Sequence, residues 1–169
     1  CRAASKEMNF TGSYSIAIWF KVHSFNSLYP TLMYKGDLGW RFVRFREKLV
    51  FATNSGFSSP AVPRENALVQ TNSSIDKRRW HLLVAVAERN PDDATTTARL
   101  YFNGRQQGGV QTWNHLNNTP APVWIGGNPK HADRDYHGMI DEIAVFTRAL
   151  DADDVWRMYE AGKSDGAEE

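Results

Sequence analysis

The stretch HGMIDEIAVFTRALDADDVWRMYEAG, residues 137–162, changes its hydrophobic period part-way along. From residue 139 to 147, apolar side chains occupy both parities, which predicts a strand buried on both faces and central in its sheet. Further on, Val155, Met158 and Tyr159 follow the i, i+3, i+4 spacing of an amphipathic helix. The stretch therefore predicts a strand that leads into a short C-terminal helix.

The predicted helix carries signals at both of its ends. Asp151 suits the N-cap position, where a side-chain oxygen accepts a free backbone N–H. Leu150 precedes this cap and can pack on Val155 as a hydrophobic staple. Gly162 is expected to end the helix by adopting the left-handed conformation.

The rest of the chain predicts short strands separated by polar turns. The expected strands are 13–22, 31–34, 40–45, 49–53, 67–71, 79–88, 99–103 and 123–126. Asn103-Gly104 suits a type I′ hairpin, whereas residues 54–66 and 105–121 look like long irregular loops. Many strands with one terminal helix predict two packed antiparallel sheets.

Several motifs resemble those of laminin-G-like domains in the concanavalin A-like lectin/glucanase superfamily. The matching positions are Gly138, Ile140, Asp141, Glu142, Ile143, Arg148, Ala149 and Leu150, together with Trp80-His81 and the segment 100–104. The resemblance covers residues 10–162 and implies an all-β, concanavalin A-like jelly-roll β-sandwich. The family's long opening strand is short or missing here.

The composition restricts the organisation and the partners of the chain. With 169 residues and 41% apolar content, it is expected to form one domain over 1–169, excised from a larger protein. Twenty Lys and Arg balance nineteen Asp and Glu, which disfavours nucleic acid and membrane insertion as partners. The single cysteine, Cys1, excludes an internal disulfide. It could be lipidated, although a chance boundary is favoured.

Catalytic patterns are absent from the sequence. Glycosidases of this fold use an E-x-D-x-E triplet along one strand, and the chain has none. Asp141 and Glu142 are adjacent and are expected to point to opposite faces of their strand. His81, within a strand, is expected to be structural. The sequence therefore predicts a protein that is not an enzyme.

Oxygen-bearing side chains before the closing strand suggest calcium as a cofactor. Asn128, Asp133 and Asp135 lie within a few residues of one another, and such ligands suit Ca²⁺. The resemblance supports this, because pentraxins carry acidic calcium ligands in the corresponding loop. Alternatively, Asp141 or Glu142 could hold a structural ion. These acids could equally be solvated charges or cap backbone groups.

The same loop contains a second metal-like pattern. His131, Asp133, Asp135 and His137 alternate, so on an extended chain they would share one face. Nitrogen and carboxylate ligands would suit zinc. Such clusters in polar loops are usually fortuitous, which makes zinc the weaker prediction.

Flat aromatic rings next to hydrogen-bonding groups are the features expected of a sugar site. Trp113, with His115 and Asn117 beside it, is the first candidate. Tyr29, Trp40 and Tyr136 are further candidates because they lie at loop and strand borders.

Together these patterns predict a non-catalytic recognition module of an extracellular or cell-envelope protein. A carbohydrate or glycoconjugate is the favoured ligand, and calcium is the candidate cofactor for its binding. The rival interpretation is a protein-interaction, adhesion or spacer domain, and a third is a degenerate glycosidase relative. One fold serves many functions, so the fold alone does not choose among them.

Overall fold

The computed structural model describes residues 2–3, 8–36, 39–53, 68–71, 75–113 and 118–165. Within these ranges the chain forms eleven strands and one α-helix. They are β1 (Arg2–Ala3), β2 (Tyr14–Ser24), β3 (Thr31–Tyr34), β4 (Trp40–Phe45), β5 (Lys48–Thr53), β6 (Leu68–Gln70), β7 (His81–Arg89), β8 (Thr96–Phe102), β9 (Arg105–Trp113), β10 (Val123–Ile125), β11 (His137–Phe146) and α1 (Ala152–Asp165).

The strands form two antiparallel sheets that pack face to face. The six-stranded sheet has the order β1-β10-β3-β4-β5-β6, and the five-stranded sheet has the order β11-β2-β7-β8-β9. This arrangement confirms the predicted all-β jelly-roll sandwich with one C-terminal helix. The opening strand β1 has two residues and pairs with β10, in agreement with the expected shortness of that strand.

Strand β2 shows how the sequence places the main core between the sheets. Ile16, Ile18 and Phe20 share one face and are fully buried in the core. Ala17 and Trp19 point to the other face, where they belong to a second apolar cluster. Each large apolar side chain that is buried in this way contributes about 1.5–3 kcal/mol to folding.

The second cluster is formed where helix α1 covers the outer face of the five-stranded sheet. Leu150 and Val155 pack there with the side chains of β2 and β7, which agrees with the predicted staple. The Asp154 N–H donates to Asp151 Oδ1 at 2.7 Å, which confirms Asp151 as the N-cap. The helix therefore begins where the local sequence signals predicted.

Gly162 does not end the helix, because α1 continues to Asp165. A Cβ atom on Gly162 would lie 2.5 Å from Cζ2 of Trp19. The glycine instead allows the helix to approach the Trp19 ring closely. Its role is determined by packing rather than by backbone conformation.

Strand β11 is the edge of its sheet and not a central strand, which corrects the prediction from the sequence. The register shifts between Asp141 and Ala144, and Glu142 has a φ of 42° in this bulge. Because the bulge adds a residue, Ile140 and Ile143 both pack against the main core although their parities differ. The apolar residues of β11 therefore occupy both parities for two reasons other than a central position in the sheet. The bulge changes the face of the strand, and helix α1 covers the outer face.

Strand β9 occupies part of the stretch that was predicted to be irregular. It pairs with β8 through the turn at Asn103 and Gly104, whose φ angles are 51° and 78°. Both values are positive, as the predicted type I′ hairpin requires. The sequence of β9 did not predict a strand, because its glutamines and glycines show no alternation of apolar and polar residues.

Candidate functional site

One row of side chains crosses the outer face of the six-stranded sheet. In the register of the strands, Trp124 pairs with Tyr34, Tyr34 with Arg41, and Arg41 with Ala52. Paired residues project from the same face, and Ala52 lies in an apolar cluster that is separate from the main core. The two aromatic residues are therefore neighbours on the outward side of the sheet.

A pocket of about 350 Å³ opens beside these two aromatic residues. Its walls are Tyr34, Gly36, Thr119, Ala121, Pro122, Trp124, Pro129 and Lys130. Trp124 is half-buried and Lys130 is exposed, whereas Tyr34 is 2% exposed. The pocket thus combines a partly accessible indole and apolar walls with a cationic group.

Lys35 holds one wall of the pocket in place. This lysine is fully buried, and its Nζ donates hydrogen bonds of 3.1 Å to the carbonyl oxygens of Thr119 and Ala121. Burial lowers the pKa of the lysine because desolvation disfavours the charged ammonium. These bonds join the end of β3 to a loop that lies more than eighty residues later in the chain.

Two glycines let this loop approach the strand closely. Gly36 has a φ of 76°, and a Cβ atom there would lie 2.8 Å from Cβ of Ala121. A Cβ atom on Gly39 would lie 2.2 Å from the Lys35 carbonyl oxygen and 2.8 Å from Cγ2 of Thr119. Side chains at positions 36 and 39 would therefore collide with the pocket wall or with the backbone beside it.

Pro129 and Lys130, also in the pocket lining, come from the loop that was predicted to bind calcium. Asn128 is buried, and its Oδ1 accepts the Lys130 N–H at 3.0 Å. The His131 N–H donates to the Asn128 carbonyl oxygen, which closes a turn around Pro129. Asn128 therefore shapes the segment that carries Lys130.

The calcium ligands predicted in this loop are not gathered around one point. Asp133 is exposed on a 3₁₀ helix, Ala132–Arg134, and Oδ1 of Asp135 is directed at Gly127. No group of three or more His, Cys, Asp or Glu side chains could hold a metal ion among the residues described. The described donors do not fit a ready-made calcium site, and calcium stays a prediction.

The zinc pattern is lost for a structural reason. It required an extended chain from His131 to His137, and the 3₁₀ helix Ala132–Arg134 interrupts that chain. The alternation in sequence is therefore not an alternation in space. The prediction of a shared face for these four side chains was wrong.

Asp141 and Glu142 lie at the bulge of β11, and both are exposed. Oδ1 of Asp141 accepts the Glu142 N–H at 2.8 Å. This bond satisfies a backbone group where the ladder is interrupted. The alternative in which these acids cap backbone groups is confirmed for Asp141. The two residues were expected to alternate between the faces of a regular strand, but the bulge interrupts the strand here.

Two of the predicted sugar-stacking residues belong to the core. Trp40 is 2% exposed within the main apolar cluster, so its ring offers no face to a ligand. Tyr136 is half-buried and packs edge-on against Phe20, with ring centroids 6.5 Å apart. Burial raises the pKa of the Tyr136 hydroxyl. The assignment of Trp40 is corrected because the inter-sheet core takes up its ring, whereas Tyr136, which is only partly buried, stays a prediction.

The structure describes the side chain of Tyr29, another predicted sugar-stacking residue, but not that of Trp113. Tyr29 is half-buried at the surface, where it stacks on Phe45. Trp113 is the last residue of β9 rather than a loop residue. Its side chain, as well as His115 and Asn117, lies outside the described residues, so the predicted site around them stays a prediction.

His81 is structural, as expected. It is 4% exposed, and its Nε2 lies 2.8 Å from the Asp76 carbonyl oxygen. Its Nδ1 lies 3.0 Å from Nδ2 of Asn103. Through these two contacts the imidazole links β7 to the β8–β9 hairpin.

The pocket residues Tyr34, Trp124 and Lys130 were not predicted as a site. A signal was present for Trp124, because Val123 and Ile125 flank it and both pack toward the main core. Period-two alternation then directs the indole outward. The pairing of Trp124 with Tyr34 has no counterpart in the local sequence.

Comparison with known protein families agrees with the fold and the motifs. The sequence profile of the concanavalin A-like lectin/glucanases superfamily matches residues 1–156. The chain belongs to this superfamily. Among curated proteins, no sequence matches this superfamily member significantly. In the described part of the chain, no helix has both the length and the apolar character needed to cross a bilayer.

Solved structures with the same fold include several domains with names that refer to binding. A candidate carbohydrate-binding protein from Bacteroides ovatus has a TM-score of 0.68 at 14% identity, over 92% of this chain and 43% of that one. Domain 4 of AbnA, an extracellular arabinanase from Geobacillus stearothermophilus in complex with arabinotriose, has a TM-score of 0.66 at 17% identity, over 94% of this chain and 71% of that one.

The binding domain of botulinum neurotoxin DC, in complex with SialylT, is a third similar structure. Its TM-score is 0.62 at 17% identity, over 95% of this chain and 38% of that one. This chain spans less than half the length of the Bacteroides and neurotoxin structures. At such low identities the likeness shows a shared fold.

Proposed function

We propose that this chain is a non-catalytic carbohydrate-binding module whose sugar site is the pocket beside Trp124. The observation that carries the proposal is the half-buried Trp124 ring on the outer sheet face, next to Tyr34. A partly accessible indole offers a flat apolar surface to the C–H face of a pyranose or furanose ring. The lining therefore has the chemistry of a sugar-stacking site.

The size and the polar groups of the pocket suit a short portion of a glycan. About 350 Å³ lies near the lower end of the range for small-molecule sites and would admit roughly one or two sugar units. The Thr119 hydroxyl and the Lys130 ammonium are suitable partners for sugar hydroxyls. Lys35 holds the Thr119 wall in place, so little ordering would be required on binding.

The similar structures support a carbohydrate ligand. Their printed descriptions include an arabinanase domain in complex with arabinotriose, a neurotoxin binding domain in complex with SialylT and a candidate carbohydrate-binding protein. The arabinanase is described as extracellular. We extend this setting to the present chain and propose that it acts outside the cell or in the cell envelope.

The lining also supports binding without catalysis. Hydrolysis of a glycosidic bond needs two carboxyl groups that flank the bond. No carboxylate lines the pocket among the residues described. The acids Asp141 and Glu142 lie on β11, at the edge of the other sheet. A sugar bound beside Trp124 would therefore meet no acid and base pair from the described residues.

A glycan array with the purified chain tests this proposal. Wild type should bind a restricted set of neutral glycans, and Trp124→Ala should weaken binding by about tenfold or more because a stacking ring is lost. Trp156→Ala is the matched control, since it removes a 39% exposed indole from helix α1 on the other sheet. Equal binding by both variants would exclude the pocket as the site.

The same array decides the calcium prediction and the rival function. Binding that disappears in chelator and returns with calcium would support a calcium-dependent lectin, although the described donors are not gathered at one point. Binding that is unchanged in chelator would remove calcium from the proposal. If no glycan binds in either condition, the protein-interaction or spacer interpretation replaces the carbohydrate one.

A further inference from the structure

Two arginines and two aromatic rings form a continuous stack at one end of the sandwich. The arginine stack consists of Arg134, Tyr29, Phe45 and Arg46. Tyr29 precedes β3, Phe45 ends β4, Arg46 begins the turn to β5, and Arg134 ends the 3₁₀ helix before β11. Three separate segments of the chain therefore meet at this surface.

The distances show two stacked rings, each of which also contacts one guanidinium group. The Tyr29 and Phe45 rings stack with centroids 5.5 Å apart and an interplanar angle of 20°. Cζ of Arg134 lies 5.1 Å from the Tyr29 centroid, and Cζ of Arg46 lies 5.3 Å from the Phe45 centroid. The rings thus hold two guanidinium groups in defined positions.

Neither arginine of the stack has a carboxylate partner among the described residues. Elsewhere on the surface, arginines form ion pairs, such as Arg99 with Glu88 at 2.7 Å and Arg148 with Asp154 at 2.6 Å. Nε of Arg134 is also buried without a hydrogen-bond partner. The stack therefore presents two guanidinium groups that no described carboxylate binds directly, although Asp133, Asp135 and Glu47 are their neighbours in the chain.

A second group of cations and a ring lies on the side of the sheet that faces the main core. Phe25, in the same connection as Tyr29, carries the Arg44 guanidinium at 4.1 Å and the Lys77 ammonium at 5.7 Å from its centroid. Glu47 compensates Arg44 through a 2.8 Å ion pair. Lys77 has no ion pair among the described residues, but this group is separate from the stack, since Phe45 packs on the outer cluster.

The stack is separate from the pocket at Trp124. It lies next to the first residue of β3, Thr31, whereas the pocket lies at the last residue, Tyr34. At about 3.3 Å per residue, the two ends of this strand are roughly 10 Å apart. A polymeric glycan could therefore contact the stack without entering the pocket.

We propose that the arginine stack is a second binding site, for the anionic groups of an acidic polysaccharide. Guanidinium groups bind carboxylate and sulfate oxygens through paired hydrogen bonds, and stacking on rings orients them in advance. Each ring already contacts the other ring and one guanidinium group, so we expect the site to select charge rather than a sugar ring. The choice of a polysaccharide, rather than another polyanion, rests on the proposed carbohydrate-binding function.

Binding of polygalacturonate, dextran sulfate and neutral dextran to immobilised protein tests this site. Wild type should bind one or both anionic polymers with an affinity that falls as salt increases, and it should not bind dextran through the stack. Arg46→Gln with Arg134→Gln should weaken that binding by about tenfold or more. The two anionic polymers distinguish a uronate site from a sulfate site.

Arg105→Gln with Arg157→Gln is the matched control. Arg105 is exposed and lies 5.3 Å from the Trp156 centroid, so the control removes the same charge and a similar stacked arginine from the other sheet. Arg46→Lys with Arg134→Lys keeps the charge but removes the paired geometry, and it should bind weakly yet better than the glutamine variant. Unchanged melting curves should accompany all three variants.

The outcomes separate this proposal from the proposed function. Equal loss in the stack and control variants would reduce the effect to net charge and overturn the stack site. Binding of anionic vesicles or polyglutamate without binding of either acidic polysaccharide would overturn the ligand class. A failure of Trp124→Ala to alter neutral glycan binding would overturn the pocket and leave the stack result standing.

Discussion

Ser15 joins strand β2 to the segment between β11 and α1 through two hydrogen bonds. Its Oγ donates to the Arg148 carbonyl oxygen at 2.9 Å and accepts the Leu150 N–H at 3.0 Å. Ser15 is fully buried and Leu150 is 4% exposed. We therefore expect Ser15→Ala to leave a buried N–H and a carbonyl without partners.

The size of the effect follows from these two groups. An unsatisfied buried N–H costs about 2 kcal/mol, and the carbonyl costs less because Arg148 is exposed and water can reach it. The free energy of unfolding should fall by about 2–3 kcal/mol in total. For a chain of this length, that loss corresponds to a decrease of roughly 5–10 °C in Tm.

Urea unfolding followed by tryptophan fluorescence measures this loss, with an unchanged m-value as the sign of a native-like structure. Ser13→Ala is the control, because among the described residues its Oγ bonds only to the Arg89 N–H, at 2.9 Å, and Ser13 is half-buried. The control should lose less than about 1 kcal/mol. If the two alanine variants unfolded at the same urea concentration, the two-bond account of Ser15 would be refuted.

Two further predictions concern stability. Gly162→Ala should lower Tm although alanine favours a helix by about 1 kcal/mol, because contact with Trp19 causes overpacking that costs about 1–3 kcal/mol; a stabilised variant in a thermal melt would contradict this packing role. Hydrogen bonds from Arg78 lower the pKa of Asp76 to about 2, so its contribution to stability is complete above pH 3.8 and is lost as the pH falls toward 2. Asp76→Asn should therefore reduce the acid dependence of urea unfolding between those pH values, and an unchanged profile would count against it.

The alternation of residues and the turn signals predicted much of the fold. Strands β3 and β4 occur at the predicted residues 31–34 and 40–45. The hairpin at Asn103-Gly104 and the N-cap at Asp151 were also predicted correctly. These features depend on backbone conformation and on neighbours within a few residues, so the local sequence contains the information that decides them.

The site could not be predicted in this way. Trp40 and Trp124 are both tryptophans in short strands, but Trp40 faces the inter-sheet core and Trp124 faces the outer side. The alternation of Val123, Trp124 and Ile125 indicated that the indole faces outward. The pocket beside it, however, depends on Lys35, which binds carbonyl groups more than eighty residues away. The partners of such a site are brought together only by the packing of the chain.

The sequence by itself determined that this chain forms a β-sandwich closed by a capped helix, because strand alternation, turns and caps are local properties. The tertiary structure alone decided that β11 lies at a sheet edge, since a bulge changes the face of its apolar residues. It also placed Arg134 beside Tyr29, although about one hundred residues separate them in the chain. Sheet order and packing between distant segments, which no local pattern encodes, therefore decided which residues form the candidate sites.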